Sequence, residues 1–481
     1  MSTKSHFKTL VPGYSGNAGT LEVTAPFDGS SIGSVEVADA ATVEKALATA
    51  AALHADRSKH IPAWERIAIL RKTAELLTER AEMFATESAR EGGKPLKDSK
   101  AEVARAIDGI HCCVETLRTA HGEEIPMGLN PASANRLAFT SHEAIGPVLA
   151  YSAFNHPVNL IVHQVFPAVA TGCPVIVKPA SDTPLSCFRL VELLHEAGLP
   201  PEWCQAFTLK DRDLATATVG DPRIAFFTFI GSGNVGWMLR SKLAPGTRCA
   251  FEHGGSAPVI MDATADLNLA APPLAKGGFY HAGQVCVSVQ RIFAPASVIS
   301  KLADKLAAEA ANMTTGDPTL ESSDIGPLIR PKEVDRVEEW VNEAVSGGAT
   351  LHTGGKRISD TCYEPTILID PPADCRVSKE EIFGPVVCLY TSESVEASIQ
   401  AANDVPFSFQ ASVFSKEMDT IFQAYRGLNA LTVIANDHTA FRVDWMPFGG
   451  LRESGLGIGG IPHTMADMQV EKSLIFQSPA L

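Results

Sequence analysis

The sequence predicts an α/β protein built from two parallel-sheet domains and a small projecting β element. Short apolar runs alternate with helix-length segments over residues 146–252, and a second alternating stretch runs from 258 to about 430. Over residues 122–142 the pattern changes to short polar and apolar stretches broken by glycine, asparagine and proline, which is typical of a hairpin. A chain of 481 residues is long enough to fold as several packed domains.

The first third of the chain is expected to be helical after a short extended start, because apolar residues recur at helical spacing over 41–53, 64–90 and 100–120. Strands are expected at 148–153, 174–178, 203–209, 224–230 and 248–252, with helices after Pro157, at 184–197, at 213–219 and after Gly233. Strands joined by such helices form a parallel sheet, and ligands collect at the carboxyl ends of its strands. Asn155, Lys178, Gly231 and Glu252 all fall at such ends.

The second alternating stretch carries strands near 259–261 and 289–293 and long helices at 297–311 and 332–345. Cys286 lies within it. Residues 469–477 are predicted to form an edge strand near the end of the chain. Because an exposed edge strand needs a partner or a cover, a homodimer or homotetramer is expected.

Composition and charge restrict the classes of partner. The chain has 45% hydrophobic and 20% charged residues, as globular proteins do. Its net charge of −15 disfavours nucleic acid and anionic membrane surfaces, which would repel it. The ten cysteines are scattered without zinc-type spacing, so a reduced cytoplasmic protein without a metal site is expected. The apolar run 157–177 is interrupted by His163, Gln164 and two prolines, which favours a buried helix and strand over a membrane span.

Residues 231–236 match the pattern G-x-G-x-x-G between a predicted strand and a predicted helix. A tight turn and helix N-terminus of this kind can hold the pyrophosphate of a dinucleotide in a Rossmann-like domain, so Gly231, Ser232 and Val235 are candidate cofactor contacts. An acidic residue about twenty positions later would then bind the ribose, and Glu252 falls there.

Glu252 has a second interpretation, as a base paired with Cys286 thirty-four positions downstream. A thiol nucleophile and a separate carboxylate base are what a covalent acyl-enzyme mechanism needs. Further segments accompany them, in the order Phe154-Asn155-His156-Pro157, Val177-Lys178-Pro179-Ala180, Phe229-Ile230-Gly231-Ser232, Phe251-Glu252-His253-Gly254-Gly255, Gly283-Gln284-Val285-Cys286, Glu380-Glu381-Ile382-Phe383-Gly384-Pro385 and Pro447-Phe448-Gly449-Gly450. Together these segments resemble the aldehyde dehydrogenase superfamily across nearly the whole chain.

The resemblance implies NAD(P)-dependent oxidation of an aldehyde to the carboxylic acid. Cys286 would attack the carbonyl to form a thiohemiacetal, whose oxyanion the Asn155 amide and the Cys286 backbone N–H would hold. Hydride transfer to the nicotinamide would leave a thioester, and Glu252 would activate the water that hydrolyses it. A coenzyme A-acylating relative normally lacks this glutamate. A non-enzymatic binding or structural protein that kept the fold is the other class, and the joint presence of Asn155, Glu252 and Cys286 argues against it.

The resemblance also implies cofactor contacts. Lys178 would bind the adenosine ribose, Glu381 the nicotinamide ribose, and Phe383 would pack beside the ring. Where many NAD-preferring members carry a glutamate, this chain has Ser181. Loss of that carboxylate removes its repulsion against a 2′-phosphate, which favours NADP, with help from Lys210 or Arg212. The alternative is that Ser181 only caps the turn and NAD still binds.

By the same resemblance, residues 1–121 and 143–252 would form the NAD(P)-binding domain and 253–452 the catalytic domain. Residues 122–142 and 465–481 would form the oligomerisation element. The family usually continues Pro-Phe-Gly-Gly with Ser-Gly-x-Gly-Arg-Glu, whereas this chain has Ile458 and Gly459 at the last two positions. Because that glutamate often helps to relay protons, proton exit must run differently here.

Substrate choice rests on three candidate residues. His156 and His163 are seven positions apart, which would place them on one face of the helix after Asn155. Arg442 lies in a loop that borders the same tunnel in relatives. A cation with nearby imidazoles could bind an anionic aldehyde tail such as a carboxylate, phosphonate or sulfonate. The alternatives are that Arg442 pairs with Asp444 or Asp437, and that Phe154, Phe441 and Trp445 suit an apolar or aromatic aldehyde.

Overall fold

The computed structural model describes residues 5–13 and 18–481. Its α-helices are Ala40–Ala55, Ala63–Glu79, Ala81–Gly92, Leu96–Thr119, Asn159–Thr171, Pro184–Glu196, Arg212–Val219, Gly233–Arg240, Leu267–Phe279, Ala296–Ala311, Pro331–Ser346, Arg376–Lys379, Val395–Asn403, Met418–Gly427 and Ile461–Asp467. Across the two described ranges, no helix has the length and apolar character needed to cross a bilayer.

The first large sheet has the strand order Gly455–Leu456, Arg248–Glu252, Phe226–Ile230, Val148–Tyr151, Val175–Lys178, Cys204–Ala206. Its last five strands are mutually parallel, and only the short edge strand Gly455–Leu456 runs antiparallel. The central strands are largely apolar on both sides, because helices cover both faces of the sheet. Every helix and strand predicted between 148 and 252 is present, which confirms the α/β parallel-sheet architecture for this part of the chain.

The second large sheet has the strand order Thr350–Thr353, Thr366–Ile369, Val386–Thr391, Val289–Ala294, Ala257–Met261, Gln410–Phe414, Thr432–Ala435. All neighbours are parallel except the first pair. A separate apolar core packs this sheet against the helices Leu267–Phe279, Ala296–Ala311 and Pro331–Ser346. The two sheets thus carry two cores, as the prediction of two α/β units requires.

Smaller sheets complete the fold. The C-terminal strand Gln469–Gln477 pairs with Arg136–Ala144, which also pairs with Glu124–Ile125. Further short pairings are Ser5–Phe7 and Thr20–Thr24 on either side of Ser31–Glu36, and Phe407–Ser408 with Leu451–Arg452. The predicted domain boundaries remain predictions. The strand Gly455–Leu456 belongs to the first sheet although it lies outside both segments predicted for that domain.

One predicted helical stretch is divided in two, and one local prediction was wrong. The predicted helical stretch 64–90 is two helices that meet at Arg80, where the backbone leaves the helical region and the side chain forms an ion pair with Glu196. His156 does not share a helix face with His163, because the helix begins only at Asn159. The carboxylate of Glu102 accepts hydrogen bonds from the backbone N–H groups of Val158 and Asn159 at 2.9 Å each, which fixes that helix start.

Candidate active site

Cys286 follows a tight turn that carries two residues in the left-handed region. His281 and Ala282 have φ values of 50° and 53°, a conformation that costs free energy for residues with a side chain. The Gln284 side chain holds this turn: its amide donates to the carbonyl oxygens of His281 and Pro327, and its oxygen accepts from the backbone N–H of Ile329 at 2.9 Å. Gln284 therefore fixes the backbone that presents the thiol.

The thiol of Cys286 lies in an apolar setting beside Val285, Val287, Phe409 and Phe448. Burial raises its pKa to about 12, and the nearby carboxylate of Glu252 adds to the effect. At neutral pH the sulfur is accordingly protonated, so nucleophilic attack requires a base to take its proton.

Asn155 lies in the loop after the strand Val148–Tyr151 and is buried. Its side-chain Nδ2 donates to the backbone carbonyl of Gln284 at 2.9 Å. Because an amide nitrogen carries two protons, this bond fixes the amide near the Cys286 segment and leaves a second N–H to donate.

Glu252 is the last residue of its strand and lies at the carboxyl end of the first sheet. Burial raises the pKa of its carboxyl above the ordinary value, while the positive charge of Arg442 opposes that shift. A carboxyl group with a raised pKa is a stronger base than a solvent-exposed glutamate. Glu252 and Cys286 therefore combine a base and a protonated thiol in one buried region.

Asp444 is the centre of a buried polar cluster. It accepts hydrogen bonds from Arg105 at 2.7 Å and from the Asn159 amide at 3.3 Å, and it lies 2.6 Å from Nε2 of His163. Burial alone would raise the pKa of Asp444, but the bonds from His163 and Arg105 hold it well below its usual range. The carboxylate is therefore ionised, and other protein groups already occupy its hydrogen-bond acceptor positions.

Arg442 lies between this cluster and the thiol. Its guanidinium stacks 3.5 Å from the centre of the Phe448 ring, and its Nη2 donates to Nδ1 of His163 at 3.2 Å. Its Nε is 3.9 Å from Asp444 and has no hydrogen-bond partner within the described part of the chain, although only 9% of the side chain is exposed. Burial and the charge of Arg442 lower the pKa of His163 to about 4, so this imidazole is neutral at pH 7.

His156 belongs to a different cluster. The ammonium of Lys94 forms a buried ion pair with Glu102 and lies 2.7 Å from Nδ1 of His156. Burial and the adjacent Lys94 charge lower the pKa of His156 well below its ordinary value. The structure therefore brings His163 and Arg442 together but places His156 with Lys94 instead.

The predicted cofactor residues lie at the carboxyl ends of the strands in the first sheet and nearby. Lys178 ends one strand, and Ser181 is exposed in the turn that follows. Gly231 and Ser232 precede the helix Gly233–Arg240, on which Val235 is exposed. Lys210, beyond the neighbouring strand, donates to the backbone carbonyl of Thr20.

Glu381 and Phe383 approach the reactive residues from the second sheet. Oε1 of Glu381 accepts from the backbone N–H of Gly255 at 3.1 Å, and a β-carbon at Gly254 would overlap the carboxylate. Burial raises the pKa of Glu381 to about 8. The ring of Phe383 meets the ring of Phe154 edge-on, with centres 5.9 Å apart. Both side chains are therefore held beside the segments that carry Glu252 and Asn155.

Sequence reasoning gave no role to Gln284, Arg105, Glu102 or Lys94, and it named Asp444 only as an alternative partner of Arg442. One signal was present for Glu102, which falls on the otherwise apolar face of the helix Leu96–Thr119. A charged residue on a buried stripe is rarely left unpaired, so it points to a partner in the core.

Residues 14–474 match the family model described as Aldehyde dehydrogenase family. The chain is 37% identical over 455 residues to a 3-sulfolactaldehyde dehydrogenase of Priestia aryabhattai, covering 95% of this chain and 94% of the relative. It is 33% identical over 458 residues to a glutarate-semialdehyde dehydrogenase of Pseudomonas putida, covering 94% and 93%.

Solved structures show the same architecture. Aldehyde dehydrogenase 21 from Physcomitrella patens, in complex with the reaction product succinate, superposes with a TM-score of 0.94 at 33% identity over 99% of both chains. The NADP-dependent glyceraldehyde-3-phosphate dehydrogenase from Bacillus halodurans, complexed with NADP, gives 0.92 at 31% identity over 96% of both chains. The NAD-dependent aldehyde dehydrogenase from Sinorhizobium meliloti gives 0.93 at 29% identity, over 99% of this chain and 95% of the other.

Proposed function

We propose, from the premise that this chain belongs to the aldehyde dehydrogenase family, that it oxidises a short aldehyde with an anionic tail to the carboxylic acid, using NADP or NAD. The observation that carries the proposal is the proximity of Cys286, Glu252 and Arg442, since Arg442 affects the pKa of both other residues and Glu252 affects the pKa of Cys286. A panel of aldehydes offered with each cofactor tests it, since reduced cofactor and acid should form in equal amounts.

In the proposed reaction the Cys286 thiol gives its proton to water as the sulfur bonds to the aldehyde carbon, so Glu252 stays ionised for the later hydrolysis. The carbonyl oxygen becomes negative, and the second N–H of the Asn155 amide together with the Cys286 backbone N–H donates to it. After oxidation to the thioester, Glu252 takes a proton from water, the water oxygen bonds to the acyl carbon, and the carbon–sulfur bond breaks. The carboxylic acid leaves and the sulfur is free for another cycle.

NADP or NAD supplies the hydride acceptor when bound, and the residues at the carboxyl ends of the first sheet fit such a group. Within the described residues, the half-buried Lys178 ammonium has one hydrogen-bond acceptor, the Pro179 carbonyl at 3.4 Å, and lies 5.0 Å from the centre of the Tyr151 ring. Burial lowers its pKa to about 8. An ammonium with so few partners is suited to bind ribose hydroxyls. Ser232 makes no capping bond to the helix Gly233–Arg240, so the first N–H groups of that helix can donate to a bound anion.

The charge balance around Arg442 supports an anionic substrate. Arg105 and Arg442 bring two positive charges to the cluster, Asp444 brings one negative charge, and His163 is neutral. Among these four groups one positive charge is left beside the reactive thiol, and the Glu252 carboxylate offsets it only from beyond ion-pair distance. A substrate carboxylate or sulfonate would compensate it. The named substrates of the relatives from Priestia and Pseudomonas carry such groups, and so does the succinate bound to the structure from Physcomitrella.

Replacement of Arg442 by methionine should weaken binding of anionic aldehydes selectively. A buried hydrogen bond to a charged group is worth about 1.5–3 kcal/mol, so KM for succinic semialdehyde should rise at least about tenfold. KM for butyraldehyde, a neutral aldehyde of the same chain length, should change little. The matched control is Arg118→Met, because Arg118 is an exposed arginine on the helix Leu96–Thr119. Equal KM changes for the two aldehydes would exclude Arg442 as the anion-binding group and would favour the apolar or aromatic substrate class.

The proposal extends to NADP as an effective cofactor. Ser181 is exposed in the turn after Lys178 and brings no negative charge near the site of a 2′-phosphate. Initial rates at saturating aldehyde should therefore show kcat/KM for NADP at least comparable to that for NAD, and Ser181→Glu should lower the NADP value selectively. A large preference of the parent enzyme for NAD would contradict this part of the proposal.

We also propose a cytoplasmic homo-oligomer. The C-terminal strand Gln469–Gln477 exposes Leu474, Ile475 and Phe476, and a second copy of the chain would cover these residues. All ten cysteines are unpaired, which supports a reducing compartment. A single-chain mass in sedimentation equilibrium would contradict the oligomer.

A further inference from the structure

A small cavity lies beside Glu252, lined by strands of the first sheet and by the helices Asn159–Thr171 and Ile461–Asp467. Its volume is about 20 Å³, and its polar lining consists of Glu252, His163, Gln164, Thr228 and Thr464. A space of this size with several polar partners can hold one water molecule.

Gly459 lets the carboxylate of Glu252 lie in this position. A β-carbon at residue 459 would be 2.5 Å from Oε1 of Glu252 and 2.7 Å from the carbonyl oxygen of Phe448. Both distances are too short for a carbon–oxygen contact, so any side chain here would displace the carboxylate. The glycine, which stands where the family usually has a glutamate, therefore opens the space beside Glu252.

Gln164 and Thr228 provide hydrogen-bonding groups for a water molecule. Nε2 of Gln164 donates to the Tyr151 carbonyl and to the Thr228 hydroxyl, both at 3.1 Å. Its Oε1 is buried and meets no donor in residues 5–13 and 18–481. Because the Thr228 oxygen already accepts from Gln164, its own proton can be donated elsewhere. Buried amide oxygens in proteins normally accept a hydrogen bond, so a water molecule is the expected donor to this oxygen.

Thr464 marks the outer side of the cavity. Among the polar residues that line the cavity, Thr464 and Glu252 are partly exposed to solvent. His163, Gln164 and Thr228 are buried. Thr464 lies on the short helix Ile461–Asp467 near the C-terminus. His163 cannot easily accept a proton here, because Asp444 and Arg442 occupy its two ring nitrogens.

We propose that one water molecule in this cavity, held by Gln164 and Thr228, carries the proton of Glu252 to the Thr464 hydroxyl and on to solvent. The inference rests on the proposed function. After Glu252 has taken a proton from the hydrolytic water, the carboxyl O–H bond breaks and the proton passes to the cavity water. That water gives one of its own protons to the Thr464 oxygen, and the hydroxyl releases its original proton outward. Glu252 is again an ionised base, and no oxidant or further reactant is needed.

Thr464→Val tests the route, because valine has nearly the shape of threonine but no hydroxyl. The first turnover, measured as a rapid burst of reduced cofactor, should keep its amplitude, because proton release after hydrolysis comes later. The steady-state rate should fall about tenfold, since proton transfer typically contributes that much or more to a rate. Thr464→Ser, which returns the hydroxyl, should restore the steady-state rate. An unchanged rate in Thr464→Val, or no rescue by serine, would overturn the inference.

Gly459→Ala provides a second, independent test. The added methyl group should displace the Glu252 carboxylate, so a burst should again be followed by slow turnover. Ile458→Ala, at the exposed neighbouring position, is the matched control and should behave as the parent. If Gly459→Ala turns over like the parent, the position assigned to the carboxylate is wrong. If the parent reduces no cofactor with any aldehyde, the proposed function is wrong. If the parent is active and the variants turn over at the parental rate, only the proton route is wrong.

Discussion

Replacement of Cys286 by alanine should abolish aldehyde-dependent reduction of NADP or NAD. No other group in the site can form the thiohemiacetal, so kcat/KM should fall by at least about a thousandfold, as is usual when a nucleophile is removed. Cofactor binding, measured by fluorescence titration, should be nearly unchanged, because the substitution removes one sulfur atom.

Cys249→Ala is the matched control for that experiment. Cys249 is a half-buried thiol on the strand that ends at Glu252, and burial raises its pKa as well. It lies outside the proposed chemistry, so this variant should retain parental activity. Substantial activity in Cys286→Ala would contradict the assignment of the nucleophile.

Replacement of Glu252 by glutamine should separate oxidation from hydrolysis. The amide keeps the shape of the carboxyl group but cannot accept a proton, so the thioester should accumulate after one turnover. We expect at most one equivalent of reduced cofactor per active site, followed by turnover that is about 100-fold to 10,000-fold slower than in the parent. Glu453→Gln removes an exposed carboxylate close to the first sheet and should leave turnover unchanged. Continued rapid turnover in Glu252→Gln would show that another group is the base.

The pH dependence of hydrolysis follows from the same residue. Glu252 acts as a base only when ionised, and burial raises its pKa above the 4.5 of an ordinary glutamate. The hydrolysis rate of the parent should therefore increase with pH through a range above 4.5 and then level off. This dependence should be absent from the residual rate of Glu252→Gln.

The membership in the aldehyde dehydrogenase family, the reaction class and the α/β architecture were all predicted from sequence and are confirmed. The first sheet was predictable because its strands are continuous apolar runs separated by helix-length segments, a pattern that is local in the sequence. The same pattern places Asn155 and Glu252 at the carboxyl ends of strands. Their roles and that of Cys286 remain predictions that the variants above test.

The surroundings of His163 and Arg442 were not predictable from sequence, because they depend on contacts between segments that are distant along the chain. Asp444 joins Arg105, Asn159 and His163, which lie more than 280 positions away in the sequence. The periodicity of a helix contains no information about such partners. The charge state of the imidazole beside Arg442 was not predictable either, because it depends on burial, which keeps His163 neutral.

Mass spectrometry of Glu252→Gln after a single turnover tests the central claim most directly. The protein would be mixed with succinic semialdehyde and NADP, quenched in acid, digested and mapped. We predict a succinyl group on the peptide that contains Cys286, formed in the same amount as the reduced cofactor and absent when NADP is omitted. Reduced cofactor without an acyl group on Cys286, or an acyl group on a different cysteine, would contradict it.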